Sequence, residues 1–194
     1  YQHLLEELNP DGTCHTYPGS PMVAYAHAGP DDQLDLYEIH PQEVYALEGT
    51  MAQYPNVRVY DESGWDGLTR ETSVARQPVI LIDPSYELKN EYVLMSKHVE
   101  KALCFMPHAI VMIWYPLLKA GRHLEMLELF KASPIQNIFR TEIHVTTPDK
   151  AVGLFGTGML LINLPDGFDK TVDKLSRWLC DAMAQSTFTE ALTK

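Results

Sequence analysis

The sequence predicts an α/β domain built on a largely parallel sheet, and three observations carry that reading. Short apolar runs alternate with stretches of helical period. Two of the runs, Pro78 to Ile82 and Ala109 to Trp114, are apolar almost throughout, as strands buried on both faces require. No repeat, low-complexity tract or linker interrupts the 194 residues, a length that suits a single domain with a substantial core.

Taken in order, Gln33 to His40 places Leu34 and Leu36 in a strand that ends on Glu38. Pro41 suits the first turn of a helix whose Val44, Leu47 and Met51 share one face. Asn56 to Tyr60 reads as a second short strand, and Pro78 to Ile82 as a central one. From Lys89 to Phe105, Tyr92, Met95, Val99 and Leu103 recur at helical spacing. Ala109 to Trp114 is the next strand, and Leu117 to Lys131 is expected to be a helix bearing Leu117, Leu124, Leu127 and Phe130. Ile138 to Val145 and Met159 to Leu164 have no helix-length segment between them, so they are expected to pair antiparallel at a sheet edge. A last helix runs from Phe168 to about Met183, with Val172, Leu175, Trp178 and Leu179 inward.

Composition narrows the function classes. Hydrophobic residues at 45% and charged residues at 21% describe a soluble globular chain. No apolar run reaches the roughly 18 residues of a membrane span, and the first residues do not form a signal peptide. Cys14, Cys104 and Cys180 stand far apart, which argues against disulfides and a zinc cluster and fits a reducing cytoplasm. The eight histidines are scattered, and no metal is expected. Acids outnumber bases 26 to 15, for a net charge of −11. That balance disfavours tight nonspecific binding to duplex DNA and suits a structured substrate met briefly.

Asp83-Pro84-Ser85-Tyr86 follows the central strand directly, where ligands gather in open α/β sheets. Alone, Asp-Pro-x-Tyr is also an ordinary strand-to-helix turn. The buried strand before it and the helix after it supply the context of a site that activates an exocyclic amine. The N6 amino group of adenine is a poor nucleophile because its lone pair is delocalised into the ring. Asp83 and the backbone carbonyl of Pro84 can accept its hydrogens and concentrate electron density on nitrogen. Tyr86 would offer a flat surface to a base taken out of its stack.

Five segments in order extend this motif: Tyr17-Pro18-Gly19-Ser20-Pro21, Leu36-Tyr37-Glu38-Ile39-His40-Pro41, Asp83 to Lys89, Ile113-Trp114-Tyr115-Pro116, and Gly158 to Asn163. On these the chain resembles the bacterial 23S ribosomal RNA adenine-N6 methyltransferases, from about Tyr17 to Met183. The resemblance implies a Rossmann-like, class I sheet and S-adenosylmethionine as methyl donor. It implies 23S rRNA as partner, in a deproteinised or early assembly form; the loop itself would equally serve a DNA adenine methyltransferase, which stays the alternative. The resemblance further implies that Ser20, Glu38, Ser63, Gly64 and Asp83 contact the cofactor, with Glu38 accepting the ribose hydroxyls. Asp83, Pro84 and Tyr86 are the implied catalytic set. Trp114, Tyr115 and Pro116 either border the substrate or pack in the core. His40 is expected to be a turn residue and Lys89 a solvated one.

The chain also departs from the family. Ser85 replaces a second proline, which removes one φ restraint and predicts reduced rather than abolished activity. Ser63 replaces the acid of an Asp-Gly pair, with Asp61 and Glu62 nearby. Asn163-Leu164-Pro165 stands for Asn-Pro-Pro, expected near the sheet edge and of less consequence. The glycine loop that ends the family's first strand has no counterpart. That strand would lie near the middle of the sheet. Either a segment precedes Tyr1 in a longer gene product, as the lack of an initiator Met suggests, or Tyr1 to Leu8 or another segment fills the place. The absent loop and Ser85 make a noncatalytic nucleic-acid-binding relative the alternative from another class.

Overall fold

Residues 1–69, 77–183 and 186–193 are described in the computed structural model of the chain. They divide into two units, Tyr1–Gly67 and Leu68–Lys194.

The first unit begins with α1 (Gln2–Leu8) and α2 (Ser20–His27), followed by β1 (Leu34–Glu38), α3 (Pro41–Met51) and β2 (Val57–Asp61). α4 (Gly64–Thr69) begins in this unit and ends just past it. β1 and β2 run parallel in register, Leu34 beside Val57 and Glu38 beside Asp61. A parallel pair needs a crossover, which α3 supplies while burying Val44 and Met51. Tyr1 to Leu8 is therefore not the strand that the sequence allowed; Gln2–Leu8 is helical. The Tyr17 to Pro21 turn also opens a helix, because a proline in the first turn removes an N–H that has no intrahelical partner.

Between these helices, buried Asn9 satisfies its whole side-chain amide. Its Nδ2 donates to the carbonyls of Leu5 (2.9 Å) and Thr16 (2.7 Å). Its Oδ1 accepts from the backbone N–H of His15 and Thr16, both at 2.8 Å. One short side chain thus sets the path into the Tyr17-Pro18-Gly19-Ser20 segment.

The second unit holds β3 (Val79–Ile82), α5 (Lys89–Phe105), β4 (Ile110–Leu118), α6 (Arg122–Ala132), β5 (Ile138–His144), β6 (Leu154–Ile162), α7 (Phe168–Met183) and β7 (Ser186–Ala191). Its sheet runs β3-β4-β6-β5-β7, with β3 and β4 parallel and the remaining pairs antiparallel. Val111, Ile113, Tyr115 and Leu117 of β4 and Leu160 and Ile162 of β6 are buried together with Tyr92, Met95 and Val99 of α5 and Met126, Leu127 and Phe130 of α6. Among the described residues β3 pairs with β4 alone, and Val79 and Leu81 on it are 63% and 44% exposed. No helix among the described residues is long and apolar enough to cross a membrane.

Four expectations change. β4 runs on to Leu118, so Leu117 belongs to a strand; α6 starts only at Arg122, after Gly121 turns the chain at φ +64°. Leu124 faces solvent, while His123 and Met126 turn inward. The antiparallel pair β5–β6 forms, but β6 lies inside the sheet and β7 covers the outer side of β5. On α7 the inward face carries Ser176 and Cys180, and Leu175 and Trp178 are exposed. On that face the Ser176 hydroxyl meets that of Thr141 on β5 at 2.9 Å, a buried pair that satisfies both groups.

Candidate active site

In the first unit, register brings the expected nucleoside contacts to one edge. Glu38 ends β1 beside Asp61, which ends β2, and Ser63 and Gly64 follow at once. The backbone N–H groups of Ile39 and His40 both donate to Glu38 Oε1 at 2.8 Å. That fork fixes the carboxylate and leaves Oε2 without a hydrogen-bond partner among the described residues. The carbonyl of Ser63 accepts from the N–H of Asp66 (2.9 Å) and of Gly67 (3.3 Å), so Ser63 starts the α4 turn. Ser20 opens α2, exposed and with no side-chain hydrogen bond among the described residues. His40 precedes α3 as its cap, as a turn residue should.

Packing sets this edge. Tyr37 and Tyr60 stack with ring centroids 4.8 Å apart, and α4 lies over Tyr37. A Cβ on Gly67 would stand 2.6 Å from the Tyr37 ring, so only glycine lets the helix approach so closely. Sequence reasoning missed Gly67, since nothing nearby reveals which ring it faces. These residues fit S-adenosylmethionine, the methyl donor that the sequence resemblance implies. A carboxylate held by one oxygen with the other free, at the carboxyl end of a parallel strand, is a ready acceptor for vicinal ribose hydroxyls.

In the second unit Asp83 follows Ile82, which is the register partner of Ile113 on β4. Asp83 and Ser85 are exposed, whereas Tyr86 is only 7% exposed. Desolvation by the surrounding protein raises the Asp83 pKa above its ordinary 3.8. Tyr86 adopts φ +56°, a left-handed conformation rare for a bulky residue. Its ring packs on Tyr92 (4.5 Å between centroids) and near Trp114 (6.1 Å), and its hydroxyl donates to the carbonyl of Trp114. In this arrangement the ring has no open face for a base, unlike the stacking surface expected from the sequence. Lys89 starts α5 and is exposed.

Trp114, Tyr115 and Pro116 separate in role. Trp114 is half-buried, and Tyr115 is fully buried with its hydroxyl on Glu142 Oε1 at 2.8 Å. Tyr115 reaches Glu142 across β6 only because residue 158 is glycine. A Cβ there would lie 2.1 Å from the tyrosine Cζ. Pro116 lies past the last β3 pair, so among the described residues β4 has no partner there on its β3 side, while it still faces Thr157 of β6 on the other. Glu142 also faces Arg140 Nη1 (3.7 Å) and His144 Nε2 (3.3 Å), a buried group that the sequence did not single out. Asn163 lies at the end of β6, inside the sheet rather than near its edge. It donates to the carbonyls of Pro107 and Ala109, both at 3.0 Å, and so ties β6 to the entry of β4.

The fold is that of a mixed α/β protein whose parallel pairs, β1–β2 and β3–β4, are each joined through a helix. The chain belongs to the family described as "Ribosomal RNA large subunit methyltransferase D, RlmJ", whose model matches residues 1–193. It is 27% identical over 180 residues to "Ribosomal RNA large subunit methyltransferase J" of Escherichia coli (strain K12), covering 92% of this chain and 64% of that protein. It is 28% identical over 167 residues to the protein of the same name from Haemophilus influenzae, covering 85% of this chain and 59% of that one. The chain therefore spans roughly three fifths of these relatives. The crystal structure of protein LPL1258 from Legionella pneumophila is similar at TM-score 0.86 and 25% identity, over 97% of this chain and 72% of that one.

Proposed function

We propose that the chain carries the catalytic residues of an S-adenosylmethionine-dependent methyltransferase acting on the exocyclic N6 amine of an adenine in 23S rRNA. The observation that carries this reading is the Asp83-Pro84-Ser85 loop, exposed at the carboxyl end of β3 between buried Ile82 and buried Tyr86. The names of the family and of its two relatives support an rRNA substrate.

When bound, S-adenosylmethionine supplies an electrophilic methyl group. Glu38 would accept the ribose hydroxyls through Oε2, while Ser63, Gly64 and Asp61 would border the nucleoside, with Ser20 as a further contact. Asp83 and the Pro84 carbonyl accept the two amino hydrogens of the target adenine. They would localise its lone pair on nitrogen and favour the charge that develops there as the N–C bond forms and the donor's S–C bond breaks, with S-adenosylhomocysteine as the leaving group. The amine proton then leaves to solvent. Rate enhancement comes from orientation and fixed dipoles, and no histidine is required.

The test is transfer of labelled methyl groups to deproteinised 23S rRNA from a strain lacking the modification, with nucleoside analysis of the product. N6-methyladenosine is expected, and Asp83→Ala should lower the rate by about a hundredfold or more. Equal transfer by the variant would remove Asp83 from the mechanism. Product on duplex DNA but not on rRNA would favour the DNA reading. No transfer to either would favour a noncatalytic relative.

A further inference from the structure

We propose that Tyr86 is a positioning residue: its inward hydroxyl, anchored on the Trp114 carbonyl, holds the Asp83-Pro84-Ser85 loop in the orientation that meets the target amine. This deepens the proposed function and rests on it.

The loop has one restraint of its own, the φ of Pro84, and Ser85 adds none. What closes it is Tyr86, whose left-handed φ of +56° persists in a bulky residue only when the surroundings over-determine it. Two contacts do so. The ring is gripped by Tyr92 and Trp114, and the hydroxyl donates to the carbonyl of Trp114. That carbonyl is available for a physical reason. β3 pairs with β4 only as far as Ile82 beside Ile113, so Trp114 is the first β4 residue past the ladder. The tyrosine hydroxyl takes the place of the next strand N–H.

The acceptor is itself held firmly. Trp114 pairs with Met159 on β6, and the next residue, Tyr115, is tied to Glu142 through the gap left by Gly158. The far end of the loop is thus tied to a fixed point in the sheet by the hydroxyl bond, beside the ring contacts. Burial, with Tyr92, Asp83 and Glu91 adding to it, pushes the Tyr86 phenol well above its ordinary range, so it stays a donor.

Tyr86→Phe separates this role from base stacking, because it keeps the ring and removes only the hydroxyl. Positioning predicts that kcat falls about tenfold while KM for rRNA and affinity for S-adenosylhomocysteine change by less than about twofold. Ser85→Pro added to Tyr86→Phe should restore part of kcat, since it returns a φ restraint to the loop. In the bare protein, amide hydrogen exchange from Ser85 to Leu88 should quicken in Tyr86→Phe, while core amides of β4 exchange as before. Unchanged kcat in Tyr86→Phe would overturn the proposal and favour a ring that swings out to stack. If the parent chain methylates nothing, the proposed function fails and the exchange contrast alone decides: unchanged loop exchange overturns the anchor. If Tyr86→Phe loses its fold, a double variant that also fails to fold assigns the hydroxyl to stability and overturns positioning.

Discussion

The first unit presents Glu38, Ser63 and Gly64 around a two-stranded sheet with no buried residue of its own, against which α3 buries Val44 and Met51. The second presents Asp83 from a five-stranded sheet, and all the largest fully buried side chains of the described chain belong to it. Two paired strands carry little stability by themselves. The first unit instead relies on a few hydrogen bonds, the fork on Glu38 and the Asn9 bracket, and on the Tyr37–Tyr60 ring stack. In the second unit dense packing holds one strained loop. The proposed binding residues thus rest on a thin layer of polar and ring contacts, and the proposed catalytic loop rests on the core.

Paired glycine substitutions break this comparison most directly. Gly158→Ala drives a methyl group into the ring of Tyr115, which is fully buried and hydrogen-bonded at its far end. We expect a loss of about 3 kcal/mol, lowering Tm by roughly 6 to 12 °C. Gly67→Ala meets Tyr37, only half-buried, whose ring can yield; about 1 kcal/mol is expected. Denaturant melts of both variants check the order, and equal losses would mean that the two units are packed alike.

A smaller effect should separate binding from folding in the first unit. Glu38→Gln keeps an acceptor for the Ile39 and His40 N–H groups but removes the charged partner of a ribose diol. S-adenosylhomocysteine affinity, measured by calorimetry, should fall about tenfold with Tm nearly unchanged. A large drop in Tm would instead make Glu38 a structural cap.

The smallest effect has the opposite sign. Desolvation raises the pKa of Asp83 in the folded state, so its ionised form weakens the fold at neutral pH. Asp83→Asn should therefore melt at the same or a slightly higher temperature than the parent at pH 7, while losing methyl transfer. The gap should close as pH falls from the raised pKa through the ordinary 3.8, below which Asp83 is protonated in both states. A lower melting point at pH 7 would show that the carboxylate stabilises the loop. For activity the same shift predicts a rate that falls on acidification, as Asp83 takes up a proton and loses acceptor capacity.

Much of this was legible in residue order. Glu38 at the end of its strand, the span of α5 from Lys89 to Phe105, and Asp83 directly after a buried strand all follow from hydrophobic period and breaker residues, which are local properties. β7 was missed because Ser186 to Ala191 is short and mixed in polarity, and it becomes a strand through pairing with β5. The face of α7 was misjudged because its Leu175–Trp178 stripe is apolar, yet the side that packs on β5 is the one bearing Ser176 and Cys180, with Ser176 bonded to Thr141.

By itself the sequence determined the α/β alternation, the place of Asp83 and Pro84 at a strand end, and the family, because each depends on residue type and spacing along the chain. Tertiary structure alone decided that Tyr86 points inward, that Gly158 gives Tyr115 passage to Glu142, and that Gly67 admits Tyr37. The physical reason is the same in all three cases. Which ring meets which gap depends on partners 27 to 30 residues away, except Gly158 and Tyr115, which are 43 apart, and no local pattern encodes a contact at such separations.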